Sequence, residues 1–279
     1  MFESSKPVSK TGFDETDPNG ISWRMDMSYR FKGSTALVTG AGTGIGRATA
    51  LLLGRSGIKV AVHYCSSKDE AEEVAAIINS HGGEAFTVQA DVSRPDEAQA
   101  MVAASIERLG HLDYLVNNAG TLIERCPVKE METELWDQGI AVNLSSMFYV
   151  TRAAINHMLE RDTGGIVNIA SIAGYNGGGY GAVHYATAKG GVIAFTKGLA
   201  LELAGTGIRV NCVNPGTIAT AYHDKYNTPE NRRINAERIA MRREGTAEEV
   251  AESVAFLLSE NSSYIYGAQI DVNGGQHYR

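Results

Sequence analysis

The stretch Ser34–Ala50, STALVTGAGTGIGRATA, decides the fold. A β-branched and apolar run, Ser34 to Thr39, gives way to glycines at 40, 44 and 46 and then to the helix-period residues Ala48, Ala50 and Leu51. In that order, strand, glycine turn and helix let bare backbone approach a pyrophosphate, while the helix start offers unbonded N–H groups and the positive end of its dipole. An ordinary glycine-rich turn has the same composition, so the flanking strand and helix carry the inference.

Further runs of the same apolar character follow at Ile58–Tyr64, Ala85–Gln89, Tyr114–Asn117, Gly165–Ser171, Arg209–Asn214 and Ala268–Val272. Each is apolar through most of its length instead of alternating, as a strand covered on both faces requires. Between them lie helix-period stretches at Ala48–Arg55, Asp69–Ser80, Asp96–Leu109, Glu134–Glu160 and Thr246–Ser259. The pattern predicts an α/β fold, a Rossmann-like doubly wound seven-stranded parallel sheet with helices on both faces. A single domain is expected over residues 32–279, preceded by an arm, residues 1–31, with no apolar period. That arm reads as flexible, or as reaching across a subunit interface through Trp23.

The formal charge of −7, from 25 Lys and Arg against 32 Asp and Glu, offers no basic field for a nucleic-acid backbone or an anionic membrane surface. Cys65, Cys126 and Cys212 lack the spacing of a zinc site or a disulfide framework. No apolar run is long enough to span a bilayer, and residues 1–32 have no signal-peptide core. A reduced, cytoplasmic setting is the expectation.

The glycine loop has the spacing TG-x-x-x-G-x-G from Thr39. It is followed in order by Asp91, Asn117-Asn118-Ala119-Gly120, Asn143, Ser171, Tyr185-x-x-x-Lys189, Pro215-Gly216-Thr217 and Asp271-Val272-Asn273-Gly274-Gly275. Over residues 32–279 this chain resembles the short-chain dehydrogenase/reductase family. The resemblance implies a nicotinamide dinucleotide cradled by Gly40, Thr43, Gly44, Ile45 and Gly46, with Tyr64, Ser66 and Ser67 near the adenosine ribose. Asp91 and Val92 would lie beside the adenine, and Asn117, Ala119 and Gly120 would border the cleft. Pro215, Gly216 and Thr217 would hold the carboxamide, with Ile218 and Thr220 close by. For Asn117 the alternative is a side-chain amide that caps loose backbone groups at a strand end.

Tyr185 and Lys189 are four apart in a helical pattern, which puts both on one face. A free phenol, with a pKa of about 10, is a poor acid-base at neutral pH, and a neighbouring cation pulls that value down. By resemblance, hydride passes between nicotinamide and carbonyl carbon while Tyr185 moves the proton. Ser171 hydrogen-bonds the oxygen, Lys189 also holds the ribose, and Asn143 carries a water that relays protons to Lys189. The segment Ser171–Tyr185 is one residue longer than the family pattern, which would reshape the substrate pocket.

Tyr64 stands where NAD-specific members have a carboxylate, so the sequence favours NADP(H) over NAD(H). Tyr175, Asn176, Tyr180, His184, Tyr222 and His223 suit a small hydroxylated carbonyl or alcohol substrate: a sugar, polyol or hydroxy acid. Arg232, Arg233, Arg238, Arg242 and Arg243 read either as a carboxylate or phosphate site or as a solvated helix face. An acyl-carrier-protein β-ketoacyl reductase is an alternative, weakened because Asp162 and Thr206 stand where such enzymes carry docking arginines, although Arg161 is adjacent. A non-catalytic nucleotide sensor is a second, weakened because Asn143, Ser171, Tyr185 and Lys189 are all present. The helices Glu134–Glu160 and Tyr185–Leu203 offer faces that pair in relatives into homotetramers.

Overall fold

The computed structural model describes residues 29–220 and 228–278. Its seven parallel strands are β1 (Thr35–Val38), β2 (Lys59–Tyr64), β3 (Ala85–Gln89), β4 (Tyr114–Asn117), β5 (Gly164–Ile169), β6 (Ile208–Pro215) and β7 (Gln269–Val272). They lie in the spatial order β3-β2-β1-β4-β5-β6-β7. The order reverses at β1, which pairs with β2 on one side and β4 on the other. That reversal opens a crevice at the strands' carboxyl ends.

Successive residues along the central strands are committed to opposite cores. Val38, Val60, Val62, Val116, Val167 and Val213 pack under α1 (Gly44–Arg55), α2 (Lys68–Ser80) and, further along the chain, the helix Ala247–Leu258. Leu37, Ala61, Leu115, Ile166 and Val210 pack under α3 (Pro95–Leu109), α5 (Ser146–Arg161) and α7 (Val183–Glu202). Burial on both faces explains why these strands read as unbroken apolar runs. The edges differ: β3 is largely half-buried and β7 wholly so.

Two departures from the sequence reading position the site. The periodic stretch 134–160 is two helices, α4 (Thr133–Ile140) and α5, joined by a π-helical turn, Ala141–Ser145. The fifth strand stops at Ile169, so Ser171 sits in the turn beyond it, before the short helix α6 (Ala173–Asn176). α8 (Pro229–Arg238) and α9 (Ala247–Leu258) complete the helices used below. Residues 1–28 of the expected arm lie outside the described residues, while the arm's end is docked. Tyr29 Oη donates to Glu252 Oε2 at 2.6 Å, and the Phe31 ring meets the edge of Tyr114 with centroids 5.8 Å apart.

Candidate active site

A cleft of about 380 Å³ opens at the reversal point. Its floor is the β1–α1 loop, where Gly40 (φ +63°) and Gly44 (φ +54°) hold left-handed backbone that favours glycine. At Gly46 the demand is close approach, because a Cβ there would lie 2.2 Å from the Gly40 carbonyl oxygen. The loop is tied from behind. Asn118 Nδ2 donates to the carbonyls of Thr39 (2.9 Å) and Gly40 (3.1 Å), and Thr39 Oγ1 accepts from the N–H groups of Asn118 and Ala119.

His63 supplies the remaining tie. Its Nε2 contacts the Ala90 carbonyl, which can only accept, so Nε2 carries the hydrogen and the Nδ1 lone pair takes the Gly40 N–H at 3.0 Å. Burial pushes its pKa below the ordinary 6.5, against the opposing pull of the Ala90 carbonyl and the Asp91 charge, which matches this neutral role.

At the start of α1, Thr43 makes no side-chain cap and the first turn holds no acidic residue. First-turn N–H groups have no acceptor within the helix, so this end is built to take an anion. The glycine cradle and the uncapped helix start together fit a dinucleotide pyrophosphate.

Of the residues singled out from sequence, Gly40, Thr43, Gly44, Ile45, Ser66, Ser67, Asp91, Val92, Ala119, Gly120, Ser171, Tyr185, Lys189, Pro215, Gly216, Ile218 and Thr220 line this cleft. Gly46 lies behind it as a packing position, and Thr217 borders the neighbouring cavity. Tyr64 is turned into the core beneath α1 and α2, so the residue lining the cleft just past the strand end is Cys65. Asn117 is buried under the crevice. Its amide donates to Thr151 Oγ1 (3.0 Å) and Asn168 Oδ1 (2.8 Å), side-chain partners where the alternative reading expected backbone groups. Sequence reasoning missed His63, Cys65, Asn118, Thr121, Val142, Ile169 and Ala170 as lining residues. Asn118 was legible inside the quoted Asn-Asn-Ala-Gly motif, whereas the others carry no local signal.

The catalytic candidates converge from three elements. Tyr185 and Lys189 rise from the start of α7, with Lys189 Nζ 5.7 Å from the Tyr185 ring centroid. Lys189 is buried and donates to the Ile169 carbonyl at 2.8 Å. Burial lowers its pKa to about 8, against an opposing pull from Cys212. Ser171 Oγ accepts from the Ala173 N–H at 3.1 Å, which leaves its own hydrogen to donate.

Asn143, in the π turn, grips the backbone of Thr121. Its Oδ1 accepts from Thr121 N–H (3.0 Å) and its Nδ2 donates to the Thr121 and Gly139 carbonyls. A Cβ on Gly120 would stand 2.7 Å from Asn143 Oδ1 and 3.2 Å from Lys189 Nζ, so the missing side chain at Gly120 keeps both atoms beside one small space.

A second cavity of about 470 Å³ adjoins the cleft and shares Ser171, Tyr185 and Gly216 with it. Its other walls include Leu122, Arg125, Asn176, Gly178, Gly179, Thr217, Asn235 and Gln276. Here several sequence expectations are corrected. His184 is fully buried with Nε2 on the Leu122 carbonyl (2.8 Å) and lines neither cavity. Tyr175 is drawn under β7, donating to Gln269 Oε1 and stacking on His277. Tyr180 projects into solvent, and Tyr222 and His223 lie outside the described residues. The arginine run is mostly ion-paired: Arg232 to Glu244, Arg233 to Glu230 and Glu237, and Arg243 to Glu249.

Among the described residues no group of three or more His, Cys, Asp or Glu is placed to hold a metal, and no helix is long and apolar enough to cross a membrane. A family described as enoyl-(acyl carrier protein) reductase matches residues 40–277. Among individual proteins, the uncharacterized oxidoreductase YgfF of Escherichia coli K12 is 41% identical over 244 residues, 86% of this chain and 99% of its own length. Glucose 1-dehydrogenase 2 of Bacillus subtilis is 40% identical over 245 residues, covering 87% of this chain and 94% of its own length. The 3-oxoacyl-(acyl-carrier-protein) reductase of Synechocystis is 41% identical over 241 residues, 86% and 95% of the two chains. With its parallel doubly wound sheet and glycine cradle, the chain belongs to the short-chain dehydrogenase/reductase family, as an NAD(P)-dependent oxidoreductase acting on CH–OH groups.

Proposed function

We infer that this chain interconverts a carbonyl and a secondary alcohol on a small polar substrate, with Tyr185 moving the proton. The observation that carries the reading is that the cofactor cleft and the second cavity have Ser171 and Tyr185 in common. Two O–H donors thus stand where a substrate in one cavity meets a nicotinamide in the other. When bound, the nicotinamide supplies or takes up the hydride. Ser171, its oxygen already engaged by Ala173 N–H, donates to the substrate oxygen and shares the charge that develops there. The Lys189 ammonium favours the Tyr185 phenolate, and after its bond to Ile169 it keeps two N–H donors for ribose hydroxyls. Asn143 fixes Thr121, and with it the wall of the cleft beside Lys189.

NADP(H) is the preferred cofactor in this reading. Support comes from the Ser66 and Ser67 hydroxyls in the cleft and the absence of a carboxylate at positions 64–67. Exposed apolar side chains on α5 (Phe148, Leu159) and α7 (Val183, Leu201) support assembly into a homotetramer. Cys65, Cys126 and Cys212 are joined by no disulfide, which supports a reducing, cytoplasmic setting.

Reduction of a carrier-bound 3-oxoacyl chain is the second reading, favoured by the likeness to the Synechocystis enzyme. Against it, Arg161 is held by the buried Asp113 carboxylate (3.1 Å), and Asp162 and Thr206 cap local backbone. The test is a panel of small ketones, aldoses, polyols and one 3-oxoacyl thioester, assayed with NADPH and NADH or their oxidised forms. Turnover greatest on hydroxylated substrates supports the main reading, turnover greatest on the thioester the second, and turnover of none overturns both.

A further inference from the structure

The segment after β4 and the glycine loop after α6 are zipped together. Cys126 N–H donates to the Gly181 carbonyl at 2.9 Å, and Arg125 Nη1 donates to the Tyr180 carbonyl at 2.9 Å. Gly177, Gly178, Gly179 and Gly181 all have positive φ, between +70° and +84°. A Cβ on Gly181 would stand 2.9 Å from Cys126 N, so the strand of contact closes only on glycine. The result is that Arg125 is held against the glycine loop at the wall of the second cavity, beside Gly179.

Arg125 is the only charged residue lining that cavity among the described residues; its other polar neighbours include Asn176, Thr217, Asn235 and Gln276. Most other arginines here are neutralised: Arg47, Arg55, Arg94, Arg161, Arg232, Arg233 and Arg243 each meet a carboxylate. Arg125 meets none among the described residues, and a single carbonyl occupies one of its five N–H donors. A neutral polyol can offer this group hydroxyl acceptors but no opposite charge. Carboxylate and phosphate oxygens match its planar fork.

We propose that Arg125 is the anion anchor of the substrate cavity and that the substrate carries a carboxylate or phosphate besides its reacting carbon. The proposal rests on the second cavity being the substrate site, as inferred above.

The test uses the full chain and a matched set: glucose, gluconate and glucose 6-phosphate for turnover, with succinate and inorganic phosphate as binding probes in the presence of NADPH. Arg125→Gln should weaken the anionic ligand by about tenfold or more, the cost of losing a charge-assisted hydrogen bond. The loss for glucose should be at least several-fold smaller. Arg125→Lys, which keeps the charge and loses the fork, should fall between the two. Cofactor affinity read in parallel reports on folding. The succinate and phosphate arms tell which anion is preferred.

Anion binding that is equal in wild type and Arg125→Gln overturns the proposal, as does wild-type turnover of glucose matching that of both anionic analogues. If no sugar turns over, the succinate and phosphate titrations still decide the anchor. The wider reading fails separately, on the substrate panel described above.

Discussion

The cofactor cleft is walled largely by backbone: glycines at 40, 44 and 120, strand ends, and the open turn of α1, braced from behind by Asn118, Thr39 and His63. The cavity on the far side of Tyr185 is walled by side chains from separate segments: Arg125 after β4, Asn176 at the end of α6, Asn235 on α8 and Gln276 near the C-terminus. A backbone cradle recognises what all its ligands share, the pyrophosphate, and it constrains residue type at fixed spacing. A side-chain cavity recognises what distinguishes one substrate from another, and its residues are free to differ.

The largest expected effect separates the two regions at their meeting point. Tyr185→Phe should lower turnover by about 100 to 10,000-fold, the range for a lost positioned acid-base group, while cofactor affinity stays within a few-fold. A variant keeping more than about a tenth of wild-type turnover would remove Tyr185 from the chemistry. His184 does not stand in reserve, since its ring is buried against Leu122.

Gly46→Ala attacks the cradle alone. Its methyl would press on the Gly40 carbonyl and Asn118 Nδ2, so the loop must move or the protein lose stability. Cofactor affinity, followed by fluorescence titration, should drop about tenfold, equivalent to roughly 1.4 kcal/mol. Unchanged affinity with unchanged thermal stability would show that the loop tolerates what its geometry forbids.

The next effect depends on pH. Below about 8 Lys189 carries its charge in the cofactor-free protein, and above that it is progressively neutral. The cation that favours the Tyr185 phenolate is therefore lost as pH rises, and kcat/KM should decline on the alkaline side. Stability moves the other way. Between about 8 and 10.5 the unfolded chain holds a proton that the folded one has released, so this lysine's contribution to unfolding free energy grows with pH across that window. Replacing Lys189 with Met should abolish both trends, and a Met variant that keeps them would assign them to another group.

The smallest effect concerns cofactor choice. Because Tyr64 is in the core, a carboxylate there would be buried; Cys65→Asp puts it in the cleft. The ratio of NADPH to NADH dissociation constants should shift several-fold toward NADH, and a ratio that stays put would mean that the ribose end is read elsewhere.

How much of this was legible follows from the same comparison. Strand boundaries fell within two residues because double-sided burial writes a continuous apolar run, and Tyr185 with Lys189 was legible from helical spacing. The inward turn of Tyr64 was not, since an apolar run does not say which of its last residues faces a ligand. Asn117 had two readings, and neither named its partners Thr151 and Asn168, which are distant in sequence. Arg125 passed unnoticed because its role depends on a glycine loop more than fifty residues away.

The π-helical turn at Ala141–Ser145 alters angular phase. In an α-helix each residue advances the side-chain direction by about 100°, so one extra residue per turn rotates everything downstream by that angle relative to everything upstream. α5 can then aim Val150, Ala154 and Met158 into the core while Asn143 is aimed at Thr121, directions that a continuous helix from Thr133 would not reconcile. Deleting a single residue from the turn would restore a regular helix and misdirect one face or the other: the register of the polypeptide there couples the packing of the domain to the alignment of its reactive groups.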